Sequence, residues 1–94
     1  MAKQPHKKFD KYRTNGIQFF FKYDEMAPDL LHIYARHLTT PQEAIETYFD
    51  ANKTTWNDQF KRFETFSDTH GIYWFWLEKD SKILIISCFR VLST

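Results

Sequence analysis

Ile72-Tyr73-Trp74-Phe75-Trp76-Leu77, then Glu78-Lys79-Asp80-Ser81-Lys82, then Ile83-Leu84-Ile85-Ile86-Ser87-Cys88-Phe89 is the stretch that decides the fold. Each flank is apolar on both alternating faces, the mark of a strand covered on both sides. The polar segment between them is short enough to close a β-hairpin. Two such strands side by side predict the centre of an antiparallel sheet.

Upstream, Phe60, Arg62, Glu64 and Phe66 alternate with Lys61, Phe63 and Thr65, which reads as a mixed strand near an edge. Ser67 to Gly71 is a turn, and Thr54-Thr55-Trp56 is short and β-prone. Near the start, Asn15-Gly16 is a turn signal. After it Ile17, Phe19, Phe21 and Tyr23 alternate with Gln18, Phe20 and Lys22 as a strand. Between these strand regions the period changes. Pro28 suits a first helical turn, and Leu30, Ile33, Tyr34, His37 and Leu38 recur at three and four residues. Thr40-Pro41-Gln42-Glu43 is a capping box with proline at the first helical position. It opens a helix from Pro41 to about Ala51 that buries Ala44, Ile45, Tyr48 and Phe49. The expected fold is therefore α+β: strand, helix, helix, then three or four strands. The sheet is antiparallel, with the helical hairpin packed on one face. The opposite face needs cover from the N-terminal tail, a second subunit or a partner protein.

With 94 residues there is room for one domain, expected over 16–94, preceded by a basic tail over 1–15. Hydrophobic residues make up 43% of the chain and aromatic residues 19%, which argues against disorder. Cys88 is the only cysteine, so no internal disulfide and no cysteine-based zinc site form. Neither a signal peptide nor a membrane-spanning run is present, and the cytoplasm is the expected compartment. Net charge is only +1, but Lys3, His6, Lys7, Lys8, Lys11 and Arg13 crowd the first 13 residues. They form a solvated tail or a basic arm for phosphate, with Lys61 as a further cation.

The four histidines lack metal-ligand spacing, serine lacks a nucleophile elbow, and two glycines make no phosphate loop. No metal and no cofactor is expected. Metal-free RNA cleavage needs a proton acceptor, a proton donor and cations around the phosphate. Arg62, Glu64, His70 and Arg90 supply these types from neighbouring strands or their ends. Each also reads plainly as a surface pair, a turn residue or a strand-end charge. Tyr73, Trp74, Phe75 and Trp76 are able to stack on bases, but as a run they read as core or as a subunit or partner interface.

The segment His37 to Asp50 resembles a stretch of the BrnT toxins, whose second helix has the form F-E-E-A…F-D. Phe21-Lys22-Tyr23-Asp24 and Arg36-His37 stand in matching places. Ile83 to Arg90 is similar to the family's closing I-R-I-I-S-A-R strand. The resemblance implies a RelE-like fold and a metal-independent ribonuclease toxin of a type II toxin–antitoxin pair. It further implies an antitoxin as partner and RNA as target, with Arg62 and Arg90 in the places of family basic residues. Leu38 replaces a family glycine, Leu84 a family arginine, and the apolar run Ile72 to Leu77 a basic hairpin. Two other readings stay open. One is a non-enzymatic protein-binding module that self-associates or joins a heteromer. The other is a small nucleic-acid binder using the basic N-terminal arm.

Overall fold

The computed structural model describes residues 8–91. In chain order its elements are β1 (Phe9–Thr14), β2 (Ile17–Lys22), α1 (His32–His37), α2 (Pro41–Phe49), β3 (Lys53–Asn57), β4 (Arg62–Phe66), β5 (His70–Glu78) and β6 (Lys82–Arg90). The six strands form one sheet in the order β1-β2-β6-β5-β4-β3.

Local chemistry explains most of these elements. Asn15 and Gly16 both take positive φ, 51° and 80°, as a two-residue hairpin turn requires. That turn folds β1 back on β2 from Phe9↔Lys22 to Thr14↔Ile17. The capping box forms as read: the Thr40 hydroxyl accepts from the Glu43 amide, and Glu43 reaches back to the Thr40 amide. At the end of α1, Leu38 adopts the left-handed conformation and stops the helix.

The fold departs from the expected antiparallel, RelE-like arrangement with three or four strands after the helices. The sheet has six strands and is mixed, because β2 and β6 run parallel from Gln18↔Lys82 to Phe21↔Ile85. The helical crossover carries the chain from β2 to the far edge. The β3 to β6 meander then returns to lie beside β2 in the same direction. The molecule is mostly sheet, with two short helices, rather than a balanced α+β domain.

The segment expected as a basic tail also changes character, since residues 9–14 form the edge strand β1. Its side chains are mostly exposed, and charged residues on an edge strand also discourage pairing with another chain. Lys3, His6 and Lys7 lie outside the described residues. Helix α1 is shorter than its apolar stripe suggests. The chain before it is held as a turn by Asp24, which accepts from the Met26 and Ala27 amides, both at 2.9 Å. Of the stripe only Ile33 is buried, while Leu30, Tyr34 and Leu38 are exposed.

Both helices cover the same face of the sheet. Phe19, Phe21, Ile72, Trp74, Ile83, Ile85 and Cys88 point into that layer and pack with Ile33 and Ala44. Trp74 Nε1 donates to the hydroxyl of buried Thr65 at 2.9 Å, so the indole is satisfied inside the core. Side chains alternate along strands, so the residues between these point the other way. Phe20, Arg62, Glu64, Phe66, Tyr73, Phe75, Leu84 and Phe89 share that second face, and no described element covers it. The pairing of β5 with β6 slips between Tyr73↔Ser87 and Trp74↔Ile85, leaving Ile86 as an extra residue. No helix among the described residues is long and apolar enough to cross a membrane.

Candidate functional site

The uncovered face is built around half-buried rings. The Phe89 ring lies edge-on to Tyr73 at 5.0 Å and to Phe66 at 6.2 Å. Beneath them Gly71 has no side chain, and a Cβ there would meet the Phe89 and Phe66 rings at 2.6 and 2.7 Å. A glycine at this point lets two rings lie flat against the strand. Farther across, Phe20 sits edge-on to Phe9 at 6.5 Å, and the Lys11 ammonium stands 5.7 Å above its ring.

Arg62 is the most elaborately held cation on this face. Its guanidinium carbon lies 3.8 Å from the centre of the Tyr73 ring and 4.7 Å from that of Phe60. Such stacking leaves the planar group's edge for hydrogen bonding. The edge meets Glu64, with Nε donating to Oε2 at 2.9 Å. Asn57 donates to the same oxygen at 3.0 Å. The hydrogen bonds from Asn57 and Arg62 hold the Glu64 carboxyl below the usual carboxylate range, against a small opposing effect of burial.

His70 and Arg90 lie elsewhere. They pair across β5 and β6 at the other end of the sheet and belong to the helix-covered face, in phase with Ile72 and Cys88. His70 Nε2 lies 2.6 Å from Glu43 Oε2, and an Arg90 terminal nitrogen lies 3.6 Å from the same oxygen. Burial alone would push Glu43 up, but the His70 and Thr40 hydrogen bonds and the Arg90 charge outweigh it and hold it low. His70 stands level with Ser67, five residues along the strand from Arg62. At ~3.3 Å per residue that is roughly 16 Å, on opposite faces of the sheet. The four residues expected to converge for RNA cleavage thus form two separate pairs. Arg62 joins Glu64 on the open face, and His70 joins Arg90 around the cap of α2.

The expected phosphate contacts divide as well. Lys11 and Arg13 alternate with Asp10 and Tyr12, which puts them on the open face beside Phe20. Lys8 precedes β1, and its carbonyl accepts from the Tyr23 amide. Lys61 sits in a turn at φ 53° and is tied to Asp58 at 2.7 Å. Among the expected interface aromatics, Tyr73 and Phe75 reach the open face. Trp74 is buried at 4% exposure, and half-buried Trp76 packs edge-on against it at 5.1 Å. Cys88 is buried, and burial pushes its thiol up to about 11.

A concavity of about 450 Å³ opens where β2 ends and β6 runs on past it. Phe75, Leu84, Ile85 and Ile86 form its apolar floor, and Lys22, Tyr23, Asp24, Glu25, His32 and Arg36 its wall. Asp24 is 3% exposed. It accepts from the Arg36 Nε at 3.0 Å and lies 3.1 Å from His32 Nδ1, besides its two backbone donors. Burial would push the Asp24 carboxyl up, but the Arg36, Ala27, His32 and Met26 contacts win and hold it below the usual range. The alternation of Gln18, Phe20 and Lys22 signals that Phe20 and Lys22 share a face. Nothing in the sequence brings Asp24 to Arg36, twelve positions away. Among the described residues no three His, Cys, Asp or Glu side chains converge on a metal-binding point.

No protein-family model, no curated protein and no solved structure matches this chain. The comparisons therefore return no toxin, antitoxin or ribonuclease. They supply no evidence for a toxin–antitoxin pair or a ribonuclease, and the six-stranded, mostly-sheet architecture corrects the expected RelE-like arrangement.

Proposed function

We propose that the chain is a non-catalytic binding domain for single-stranded nucleic acid, with the uncovered sheet face as its platform. One observation carries this reading: half-buried rings from three strands share that face with cations from both of its sides. Phe75 and Phe89 offer rings with no cation over them for stacking, which every base can join whatever its sequence, while Tyr73 and Phe20 each hold a cation, Arg62 and Lys11, over one face. Lys11, Arg13 and Lys22 flank them on one side, Arg62 and Lys53 on the other. Among the described residues Arg13 and Lys53 have no carboxylate partner, so they remain available to phosphate. The Glu64–Arg62 and Glu78–Lys82 pairs cancel on this side of the sheet, and the positive excess of the face comes from Lys11, Arg13 and Lys53. Of the basic arm, Lys11 and Arg13 belong to this surface through β1.

Anisotropy of a labelled, mixed-sequence single-stranded 12-nucleotide probe, in RNA and DNA forms, tests the reading. Binding is expected at low salt, with log K falling linearly in log salt at roughly 0.7 per phosphate neutralised. The Lys11→Ala and Arg13→Ala variants should each flatten that slope. Phe75→Ala should weaken binding by about 1–3 kcal/mol at unchanged slope. No binding at low salt, or binding that ignores all three substitutions, overturns the proposal. Strong preference for an acidic protein surface over either oligonucleotide would transfer the face to a protein partner.

A further inference from the structure

The geometry points to the concavity at the end of β2 as a subsite for a nucleoside 5′-monophosphate, its base on the Phe75–Leu84–Ile86 floor and its phosphate on Arg36. This rests on the nucleic-acid reading of the adjoining face and sharpens it. The shared chemistry is a 5′-phosphorylated nucleotide, either the first residue of a bound strand or a free mononucleotide.

Four observations carry it. First, the volume of about 450 Å³ suits a ligand of this size. Second, the floor is continuous with the stacking surface. Phe75 lies two residues from Tyr73 on one strand and pairs with Leu84, which pairs in turn with Phe20. A strand lying on the platform therefore has its path lead into the concavity. Third, the extra residue at the β6 slip turns Ile86 onto the floor beside Leu84. Fourth, the polar wall is prearranged. Asp24 occupies Arg36 through Nε and His32 through Nδ1, which fixes both side chains. The terminal guanidinium nitrogens of Arg36 and the Nε2 of His32 make no hydrogen bond among the described residues. These side chains are 49% and 39% exposed, so they stand at the mouth and not in the core. A fixed guanidinium edge with both terminal nitrogens free matches a phosphate monoester, which accepts charge-assisted hydrogen bonds from it. Glu25, the other acid on the rim, is held by Lys22 at 3.2 Å.

The test compares one single-stranded oligonucleotide carrying a 5′-phosphate with the same oligonucleotide carrying a 5′-hydroxyl, alongside adenosine 5′-monophosphate and uridine 5′-monophosphate as competitors. Arg36→Gln is the main variant; the side chain is half-exposed but also bonds buried Asp24, so the fold of the variant is checked. Leu84→Trp, which fills the floor, is the second, with circular dichroism to show that both fold. The 5′-phosphate should tighten binding about tenfold, a gain equal to one charge-assisted contact. Arg36→Gln should abolish that gain and leave 5′-hydroxyl binding unchanged. Equal affinity for the two ends overturns the subsite while the platform stands. Saturable binding of the mononucleotides without binding of either oligonucleotide supports the subsite for free nucleotide and overturns the platform. Arg36→Gln lowering both ends equally also overturns the subsite, because Arg36 is then one more backbone contact.

Discussion

At the scale of single residues, burial and pairing decide behaviour that identity alone leaves open. Asp24 is an acid in a nearly closed site, yet it is ionised because Arg36, His32 and two amides surround it. Its pKa in the folded chain lies below the unfolded value of about 3.9. The unfolded state therefore takes up this proton first as pH falls, and the stability that Asp24 supplies at neutral pH drains away below about pH 4. Asp24→Asn removes that component. Urea unfolding at pH 6 and pH 3 should show a smaller loss of stability in the variant than in the native sequence. Cys88 behaves oppositely to an exposed thiol. With its pKa at about 11 and its side chain buried, it should resist alkylation at pH 8 until the chain is unfolded. Gly71 is fixed by the rings above it. Gly71→Ala should cost about 1–3 kcal/mol in urea unfolding through overpacking against Phe66 and Phe89. The Arg62–Glu64 pair is legible in the sequence, because two positions on a strand share a face. The Glu43–His70 and Asp24–Arg36 contacts are not, because long-range packing brings those partners together.

At the scale of elements, the reading succeeds where the signal is local and self-contained. The capping box at Thr40 and the Asn15-Gly16 turn each complete their own hydrogen bonding within four residues. Thr40→Ala should therefore lower stability by about 1 kcal/mol, and Thr40→Ser should restore it, both read by urea midpoint. Strand β1 is hidden in the sequence because Asp10, Lys11, Tyr12 and Arg13 look like a solvated arm. Only its pairing with β2 makes it a strand. Helix α1 is overread for a related reason. A stripe of Leu30, Tyr34 and Leu38 resembles a buried face, but tertiary placement turns Ile33 inward and leaves the stripe in solvent. Thr39 shows how the two helices are tied to the sheet. Its hydroxyl lies 2.8 Å from the Cys88 carbonyl, three residues beyond the end of the β2–β6 ladder. Thr39→Val keeps the shape and removes that donor, and should destabilise by about 1–3 kcal/mol.

At the scale of the whole molecule, the governing fact is asymmetry. Two helices and an aromatic core close one face of a six-stranded sheet, and no described element closes the other. The two-sided apolar pattern of β5 and β6 announces that asymmetry, because Phe75, Leu84 and Ile86 are too apolar for an ordinary solvent face. What the pattern leaves open is which residues frame them, and that frame decides the partner. Cations from β1, β2, β3 and β4 ring the patch only because the strand order places β1 and β3 at opposite edges. The measurement that goes most directly to the central claim is amide chemical-shift mapping of the chain as a 5′-phosphorylated single-stranded oligonucleotide is titrated in. The account predicts that the largest shifts trace Lys11, Phe20, Arg62, Tyr73, Phe75, Leu84 and Phe89 and extend to Arg36, with α2 and Tyr48 unmoved. Shifts centred on the helices, or on Glu43, His70 and Arg90, would contradict it.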